Sequence, residues 1–211
     1  MEIFDMSSYN RVEHYNYYME HDCALAMTIN VDVTKLVRFI KKNNLHTYPI
    51  LLWVISRAVN SIPECRFTID SKGQPAIYNQ VNPAYVAWNK DTNTFYCVST
   101  PYSEDLISFY MNCRKDIETN KNKSMFPQGV TPPNVFSITV SSEIIFTGMS
   151  IHVRRQPLTP MFAVGKIYRK GFRRFAPICI QVNHAACDMH HIYMIIEEIY
   201  KAMKELKWES A

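Results

Sequence analysis

The sequence has little glycine, no long apolar run and no strong charge of one sign. Only 5 of its 211 residues are glycine, and no stretch is rich in glycine and serine, so neither a flexible linker nor a low-complexity chain is indicated. No run of 18 apolar residues occurs, and the N-terminus lacks the apolar core of a signal peptide. We therefore expect no membrane-spanning helix and no secretion signal.

The positive charge is also weak. The formal net charge is +4, and basic residues cluster only at 154–155 and 169–174. That is too little to indicate a nucleic-acid-binding protein, and such a patch is usually a solvated face that could at most meet an anionic cofactor.

The cysteines do not form a recognisable framework. None of the six belongs to a C-x-x-C pair, which fits reduced thiols and a cytoplasmic protein better than disulfides. They are scattered along the chain as Cys23, Cys65, Cys97, Cys113, Cys179 and Cys187.

Apolar and aromatic residues are plentiful. They make up 47% of the chain when counted together, with 13 Tyr, 11 Phe and 3 Trp. A chain of this length and composition can bury a sizeable core, so we expect a single domain over residues 1–211.

Helical and strand-like patterns follow one another in a mixed order. We predict helices at 33–42, 49–60, 103–121 and 189–206, and strands at 24–31, 76–78, 84–88, 94–99, 134–140, 144–153, 161–168 and 175–182. Asp32 or Thr34 is expected to begin the first helix, Pro49 the second, and Ser103 to cap the third. The turn at 169–172 predicts a hairpin. The whole predicts an α+β sandwich with helices on one face of a large sheet.

The most informative stretch is 182–188, which joins the last predicted strand to the last predicted helix. It places His184 at a strand end and Asp188 four residues later, near a helix start. Histidine can take and return a proton near neutral pH, so His184 is a candidate general base. The alternative is that Asp188 is a plain helix N-cap and His184 is incidental.

A zinc site is a rival interpretation of the same segment. It contains His184, Cys187, Asp188, His190 and His191 within eight positions, which are residue types that bind zinc. However, His184 is expected to precede the helix, and the other histidines form no partner motif. We therefore predict no metal.

Residues 181–188, Gln-Val-Asn-His-Ala-Ala-Cys-Asp, resemble the active-site signature H-H-A-x-C-D-G of chloramphenicol acetyltransferases. Further family motifs occur in the same order, as R-V-E-H-Y at 11–15, Y-P at 48–49, Arg66, T-F at 94–95, S-T-P-Y-S at 99–103 and F-P-Q-G-V-T-P at 126–132. Dihydrolipoyl acyltransferase cores share the fold and the histidine signature. The F-P-Q-G and P-Y-S segments favour the antibiotic acetyltransferases.

The resemblance implies a coenzyme A-dependent acyltransferase fold with a mixed sheet, and a homotrimer with active sites at subunit interfaces. It implies acetyl-coenzyme A as co-substrate and a small alcohol, chloramphenicol or similar, as acceptor. His184 matches the general base, Asp188 and Arg11 match a structural ion pair, and Thr139 stands where the family has an oxyanion-binding serine. Tyr48 and Lys166 match coenzyme A contacts.

The resemblance also implies an apolar acceptor pocket, and it shows where this chain departs from the family. The matching pocket positions are Tyr18, Cys23, Leu25, Phe95, Phe126, Met149, Ile151, Val153 and Ala163. Leu25 and Met149 replace aromatic residues, and Ala163 replaces a threonine that holds a water. Ile167 replaces an aromatic residue that packs on adenine, and Asn183 replaces the first histidine of the signature.

Met189 replaces the glycine after the acid and would strain the turn if that position needed a positive φ. Together with Ala163, it leaves open an alternative function, a trimeric protein of this fold that acts on another acceptor or only binds a ligand.

Overall fold

The computed structural model describes residues 1–121, 132–153 and 157–208. Its ten strands are β1 (Glu2–Ile3), β2 (Ala24–Asp32), β3 (Phe67–Ile69), β4 (Pro75–Ile77), β5 (Asn82–Asn89), β6 (Thr94–Ser99), β7 (Val135–Val140), β8 (Met161–Val164), β9 (Tyr168–Lys170) and β10 (Arg173–Asn183). Its α-helices are α1 (Val12–His21), α2 (Thr34–Lys42), α3 (Thr47–Asn60), α4 (Leu106–Asn120) and α5 (Met189–Lys204).

The main sheet has seven strands and mixed pairing. Six strands lie side by side in the order β2-β10-β8-β7-β5-β6, and β9 pairs with the start of β10. The β5–β7 and β7–β8 pairs are parallel, whereas the others are antiparallel. A separate small sheet has the order β1-β4-β3.

The two faces of the main sheet differ in composition. On β7, Phe136 and Ile138 are buried, whereas Ser137 is exposed, which is the alternation expected of a sheet with one covered face. Helix α3 lies at the centre of the helical layer, because α2, α4 and α5 all pack against it. The predicted α+β sandwich is confirmed. We call the side with Ser137 the open face.

Local signals explain the helix ends. Helix α2 begins at Thr34, one of the two predicted starts, and Asp32 at the end of β2 accepts the Thr34 N–H at 2.9 Å. Helix α3 begins at Thr47, with Pro49 in its first turn, where the missing N–H costs nothing. The predicted cap of α4 was wrong by two residues: Asp105, not Ser103, is the N-cap, because its carboxylate accepts the Ser108 N–H at 2.8 Å.

The predicted hairpin is confirmed. Lys170 pairs with Arg173, so Gly171 and Phe172 form a two-residue turn, and Gly171 takes a φ of 60° that suits glycine. The preceding run at 161–168 is not one strand, since it breaks at Gly165. A Cβ at Gly165 would lie 2.6 Å from Pro177 Cγ and 2.8 Å from the Ile144 carbonyl oxygen, so only glycine fits there.

One predicted strand is wrong, and three elements were missed. Residues 144–153 are apolar enough for a strand but form none, because they lie against side chains of β10, whose two edges are already paired with β2 and β8. The missed elements are β1, β3 and α1. Helix α1 has many polar residues and buries only Tyr15. Among the described residues, no helix combines the length and apolar character needed to cross a membrane.

Candidate functional site

His184 follows directly after β10, where the sheet ends. Its backbone N–H donates to the Cys23 carbonyl at 2.8 Å, which continues the β10–β2 ladder by one bond. Its ring stacks flat on Tyr18 of α1, with centroids 3.8 Å apart and planes 5° apart. Stacking, together with this backbone bond, holds the imidazole. In the described part of the chain its buried Nδ1 has no hydrogen-bond partner.

The turn between β10 and α5 is built from Asn183. Its side-chain oxygen accepts the Ala185 N–H at 2.9 Å, and its carbonyl accepts the N–H groups of Ala186 and Cys187 at 3.1 and 2.9 Å. Asp188 then caps α5 by accepting the His190 and His191 N–H groups. Met189 begins the helix and does not have a positive φ, so it causes no strain.

Asp188 also belongs to a row of alternating charges. Arg11 Nη2 lies 3.1 Å from Asp188 Oδ2, as an ion pair whose angles fall outside those of a hydrogen bond. Arg11 Nη1 donates to the Ala186 carbonyl at 2.8 Å. On the other side, His191 Nδ1 lies 2.8 Å from Asp188 Oδ1, and its Nε2 lies 3.8 Å from Glu64 Oε2. The carboxylate of Asp188 is therefore engaged by Arg11 and His191 rather than aimed at His184.

The charges in this row shift the pKa values of Asp188 and His191. Burial by itself raises the pKa of Asp188, but the hydrogen bonds and charge of His191, with the charge of Arg11, outweigh it and lower that pKa to about 2. Burial lowers the pKa of His191, yet the two carboxylates beside it, Glu64 and Asp188, raise it above the ordinary value overall. The two carboxylates therefore favour the protonated form of His191.

The zinc interpretation has no support in this arrangement. In the described residues no three side chains of His, Cys, Asp or Glu converge as metal ligands would. Both ring nitrogens of His191 face carboxylates, and Cys187 is buried with its Sγ 4.0 Å from that of Cys65.

Thr139 lies on the open face, one residue before the end of β7. Its Cα pairs with that of Ala163 on β8, and Ala163 pairs with Cys179 on β10. Thr139, Ser137 and Ile151 line one groove of about 570 Å³. Ser141 is occupied elsewhere, because its hydroxyl accepts the N–H groups of Glu143 and Ile144.

The residues after β7 cross the open face instead of joining the sheet. We call Ser141–Val153 the overlying segment. It is tied to β8 and the residues after it by the Ser141 N–H, which donates to the Val164 carbonyl at 2.8 Å, and by the Lys166 N–H, which donates to the Ile144 carbonyl at 2.7 Å. It carries three of the predicted acceptor residues, namely Met149, Ile151 and Val153.

Tyr48 and Lys166 are brought together in a second groove, of about 590 Å³. The Tyr48 hydroxyl donates to the Val86 carbonyl at 2.6 Å, and burial raises its pKa. Tyr48 therefore offers its ring to a ligand rather than its hydroxyl. Lys166 is exposed, and Ile167 beside it lines the same groove.

The remaining predicted residues are spread over both ends of the sheet. Cys23 and Leu25 lie beside His184 at one end, where Leu25 pairs with Val182 and packs on the core. Phe95 lies on β6 at the opposite edge, paired with Trp88. Phe126 is outside the described residues.

His184 and Thr139 of one chain are far apart. His184 lies five residues along β10 beyond Cys179, and β7 lies two strands across from β10. At about 3.3 Å per residue and about 4.8 Å per strand, the two Cα atoms are separated by roughly 16 Å along the strands and roughly 10 Å across them. A small molecule touching one does not reach the other.

Sequence reasoning missed three polar residues near the site. His191 was weighed only as a metal ligand, and Glu64 and Gln181 were given no role. The Asp188-x-x-His191 spacing is that of a capping box, in which the N3 side chain faces the N-cap backbone, and this signal could have pointed to His191. No local pattern points to Glu64, which is brought in by the fold.

Comparison with known proteins gives one consistent family. The family model described as chloramphenicol acetyltransferase matches residues 1–200. A chloramphenicol acetyltransferase of Bacillus pumilus is 35% identical over 195 residues, which cover 90% of this chain and 88% of the relative.

Solved structures agree at the level of the fold. A chloramphenicol acetyltransferase structure superposes with a TM-score of 0.85 at 20% identity, covering 96% of this chain and all of that one. A probable dihydrolipoamide acetyltransferase from Listeria monocytogenes superposes with a TM-score of 0.65 at 15% identity, covering 93% of this chain and 92% of that one.

Proposed function

The chain belongs to the chloramphenicol acetyltransferase family and is an acyltransferase, and we propose that it moves an acetyl group from acetyl-coenzyme A to a hydroxyl of chloramphenicol or a similar alcohol, with His184 as general base. The observation that carries this proposal is the environment of His184. Its ring is fixed by Tyr18, while the nearby carboxylate of Asp188 is engaged by Arg11 and His191.

In the proposed reaction, both substrates are bound before any bond changes. His184 takes the proton of the acceptor hydroxyl as the oxygen attacks the thioester carbonyl carbon. The carbonyl oxygen becomes an oxyanion, to which the Thr139 hydroxyl donates. When the carbonyl re-forms, the carbon–sulfur bond breaks, and the coenzyme A thiolate takes the proton back from His184. The products are the acetyl ester and free coenzyme A.

This chemistry needs His184 and Thr139 within a few ångströms of one molecule. Because they are roughly 19 Å apart in one chain, we propose that the site forms between two copies, with His184 from one and Thr139 from the next. A homotrimer provides three equivalent sites of this kind. The uncovered side of the sheet, with Trp88 58% exposed, is available for such a contact.

We propose that acetyl-coenzyme A binds in the groove of Tyr48 and Lys166. The Lys166 ammonium suits a phosphate of the nucleotide, and the Tyr48 ring and the Leu51 side chain give the groove an apolar wall. Ile167 offers no aromatic ring to stack on adenine, so we expect a higher Michaelis constant for the cofactor than an aromatic residue would give.

A cytoplasmic location follows from the same proposal. All six cysteines are free thiols, including the buried Cys65 and Cys187. Reduced thiols persist in the cytoplasm.

The test is a thiol-release assay with acetyl-coenzyme A against a panel of hydroxylated antibiotics, chloramphenicol first. Release that depends on the acceptor supports the function, and analytical ultracentrifugation of the same protein should give three times the chain mass. A protein that binds chloramphenicol but transfers acetyl to no alcohol would instead support the second candidate, a binding protein, which the Ala163 replacement favours.

A further inference from the structure

Gln181 is a buried polar side chain on the open face of β10, three residues before His184. It is only 3% exposed. Its carboxamide bonds to the backbone of Ile151 in both directions: the Ile151 N–H donates to Oε1 at 2.8 Å, and Nε2 donates to the Ile151 carbonyl at 2.7 Å. The Gln181 side chain therefore satisfies both backbone groups of Ile151, as a neighbouring strand would.

A second contact repeats this one at a spacing of two residues. Cys179 precedes Gln181 by two on the same face, and its Sγ donates to the carbonyl of Met149, which precedes Ile151 by two, at 3.1 Å. Side chains of β10 thus hold the overlying segment in register. No backbone ladder can do so, because both edges of β10 are already paired.

The chemistry of the carboxamide explains why glutamine suits this position. It is the neutral group that offers a donor and an acceptor side by side in one plane, as the peptide backbone does. Glutamate would present acceptors to both Ile151 groups and would bury a charge, and methionine would match the length without either bond.

We infer that Gln181 is a positioning residue that sets the shape of the acceptor pocket. It fixes Ile151, which lines the groove shared with Thr139, and with it the neighbouring Met149 and Val153. This inference rests on the proposed function for the identity of the pocket. Gln181 itself touches no reacting atom, so its loss should weaken acceptor binding and leave the chemical step intact.

The first experiment measures hydrogen exchange at the Ile151 amide in the full-length protein, without any substrate. In the wild type this amide should be protected, because its acceptor is the buried Oε1 of Gln181. In Gln181→Met it should exchange at least about 10-fold faster. The matched control is Cys179→Ala, which removes only a weak donor and should change the exchange at Ile151 by less than about 2-fold.

The second experiment measures steady-state kinetics with chloramphenicol. In Gln181→Met the Michaelis constant for chloramphenicol should rise about 10-fold, whereas kcat and the constant for acetyl-coenzyme A should change by less than about 2-fold. If Gln181→Met does not fold, the wild-type exchange experiment still tests whether Gln181 holds Ile151.

The outcomes separate the two proposals. An Ile151 amide that exchanges freely in the wild type would overturn the inference, and so would an unchanged Michaelis constant for chloramphenicol in a folded Gln181→Met. Absence of acetyl transfer in the wild type would overturn the proposed function instead. The exchange result would still establish or refute the contact between Gln181 and Ile151.

Discussion

The two ends of the proposed site are built in different ways. Around His184, one chain provides the Tyr18 stack, the Asn183 turn and the ion pair of Arg11 with Asp188. Around Thr139, the same chain provides a groove, and Phe95 at the sheet edge is 43% exposed. One copy thus provides a finished end around the proposed base, His184, and an unfinished end around the proposed oxyanion donor, Thr139, which is the pattern expected of a site completed by a second copy.

The largest effect is expected from His184→Ala. Removing the base should lower acetyl transfer by at least about 10²-fold, while circular dichroism and oligomeric state stay unchanged, because the ring contributes a stack and no ion pair. His190→Ala is the matched control, since His190 is an exposed histidine in the first turn of α5, and it should keep wild-type turnover. Near-wild-type turnover in His184→Ala would refute the assignment.

A similar loss of activity on changing Thr139 would test whether the site combines His184 of one copy with Thr139 of the next. Thr139→Val keeps the shape and removes the hydroxyl, so kcat should fall by about 10²-fold with little change in the Michaelis constant for the acceptor. Thr139→Ser should be tolerated, since it keeps the donor and frees the rotamer.

Ser137→Ala is the control for the assignment on β7, because Ser137 lies on the same face and lines the same groove. Full activity in Thr139→Val together with loss in Ser137→Ala or Ser141→Ala would shift the oxyanion donor by two residues along the strand.

Asp188→Ala should affect stability more than any other change at the finished end. It removes the α5 cap and leaves the Arg11 guanidinium, whose side chain is only 13% exposed, without its ion-pair partner. We expect a loss of at least about 2 kcal/mol in unfolding free energy, or roughly 4–8 °C in Tm.

Asp105→Ala is the cap-only control, since Asp105 caps α4 and, in the described part of the chain, makes no ion pair. It should lower Tm by less than Asp188→Ala does, because only a cap is lost. Unchanged melting temperatures in both Asp188→Ala and Arg11→Ala would show that the ion pair does not contribute in solution.

A smaller effect is expected from pH. The folded-state pKa of His191 lies above its ordinary value, so its stabilising contribution is complete below the ordinary value and is lost as pH rises through the raised one. The groups facing it are Asp188, Glu64 and, beyond Asp188, Arg11. Tm should therefore decline as pH rises above the ordinary His191 pKa of 6.5.

His191→Asn keeps a donor toward Asp188 but does not titrate in this range, so its decline should be weaker. An equal decline in wild type and His191→Asn would assign the pH dependence to another group. At the acid end the sign is opposite: the low pKa of Asp188 contributes stability above its ordinary value of 3.8 and loses it as pH falls toward 2.

The smallest effect is expected from Met189→Gly, which restores the family glycine. Met189 has no positive φ and its side chain is half exposed, so the change should cost at most about 1 kcal/mol and leave acetyl transfer unchanged. A large gain in activity would show that the methionine side chain, rather than the backbone, impairs the site.

Much of the fold could be predicted from local patterns. The strand at 94–99, the helix start at Met189 and the hairpin around Gly171 agree with the structure because alternation, an acidic N-cap and a glycine turn are signals carried by a few neighbouring residues. The predicted strand at 144–153 failed because a strand also needs a backbone partner, and the fold instead lays this segment across the face of the sheet, which no local pattern reports.

The candidate site divides in the same way. The sequence by itself determined that His184 ends a strand, that Asp188 begins a helix, and that Thr139 faces the same side as Ser137, because these follow from chain order and from the periods of strand and helix. Only the tertiary structure decided that Glu64 lies beside His191, that Arg11 pairs with Asp188, that Gln181 holds Ile151, and that His184 and Thr139 of one chain lie far apart. Those contacts join residues 30 to more than 170 positions apart, and their geometry is set by strand order and packing, which short-range propensities do not encode.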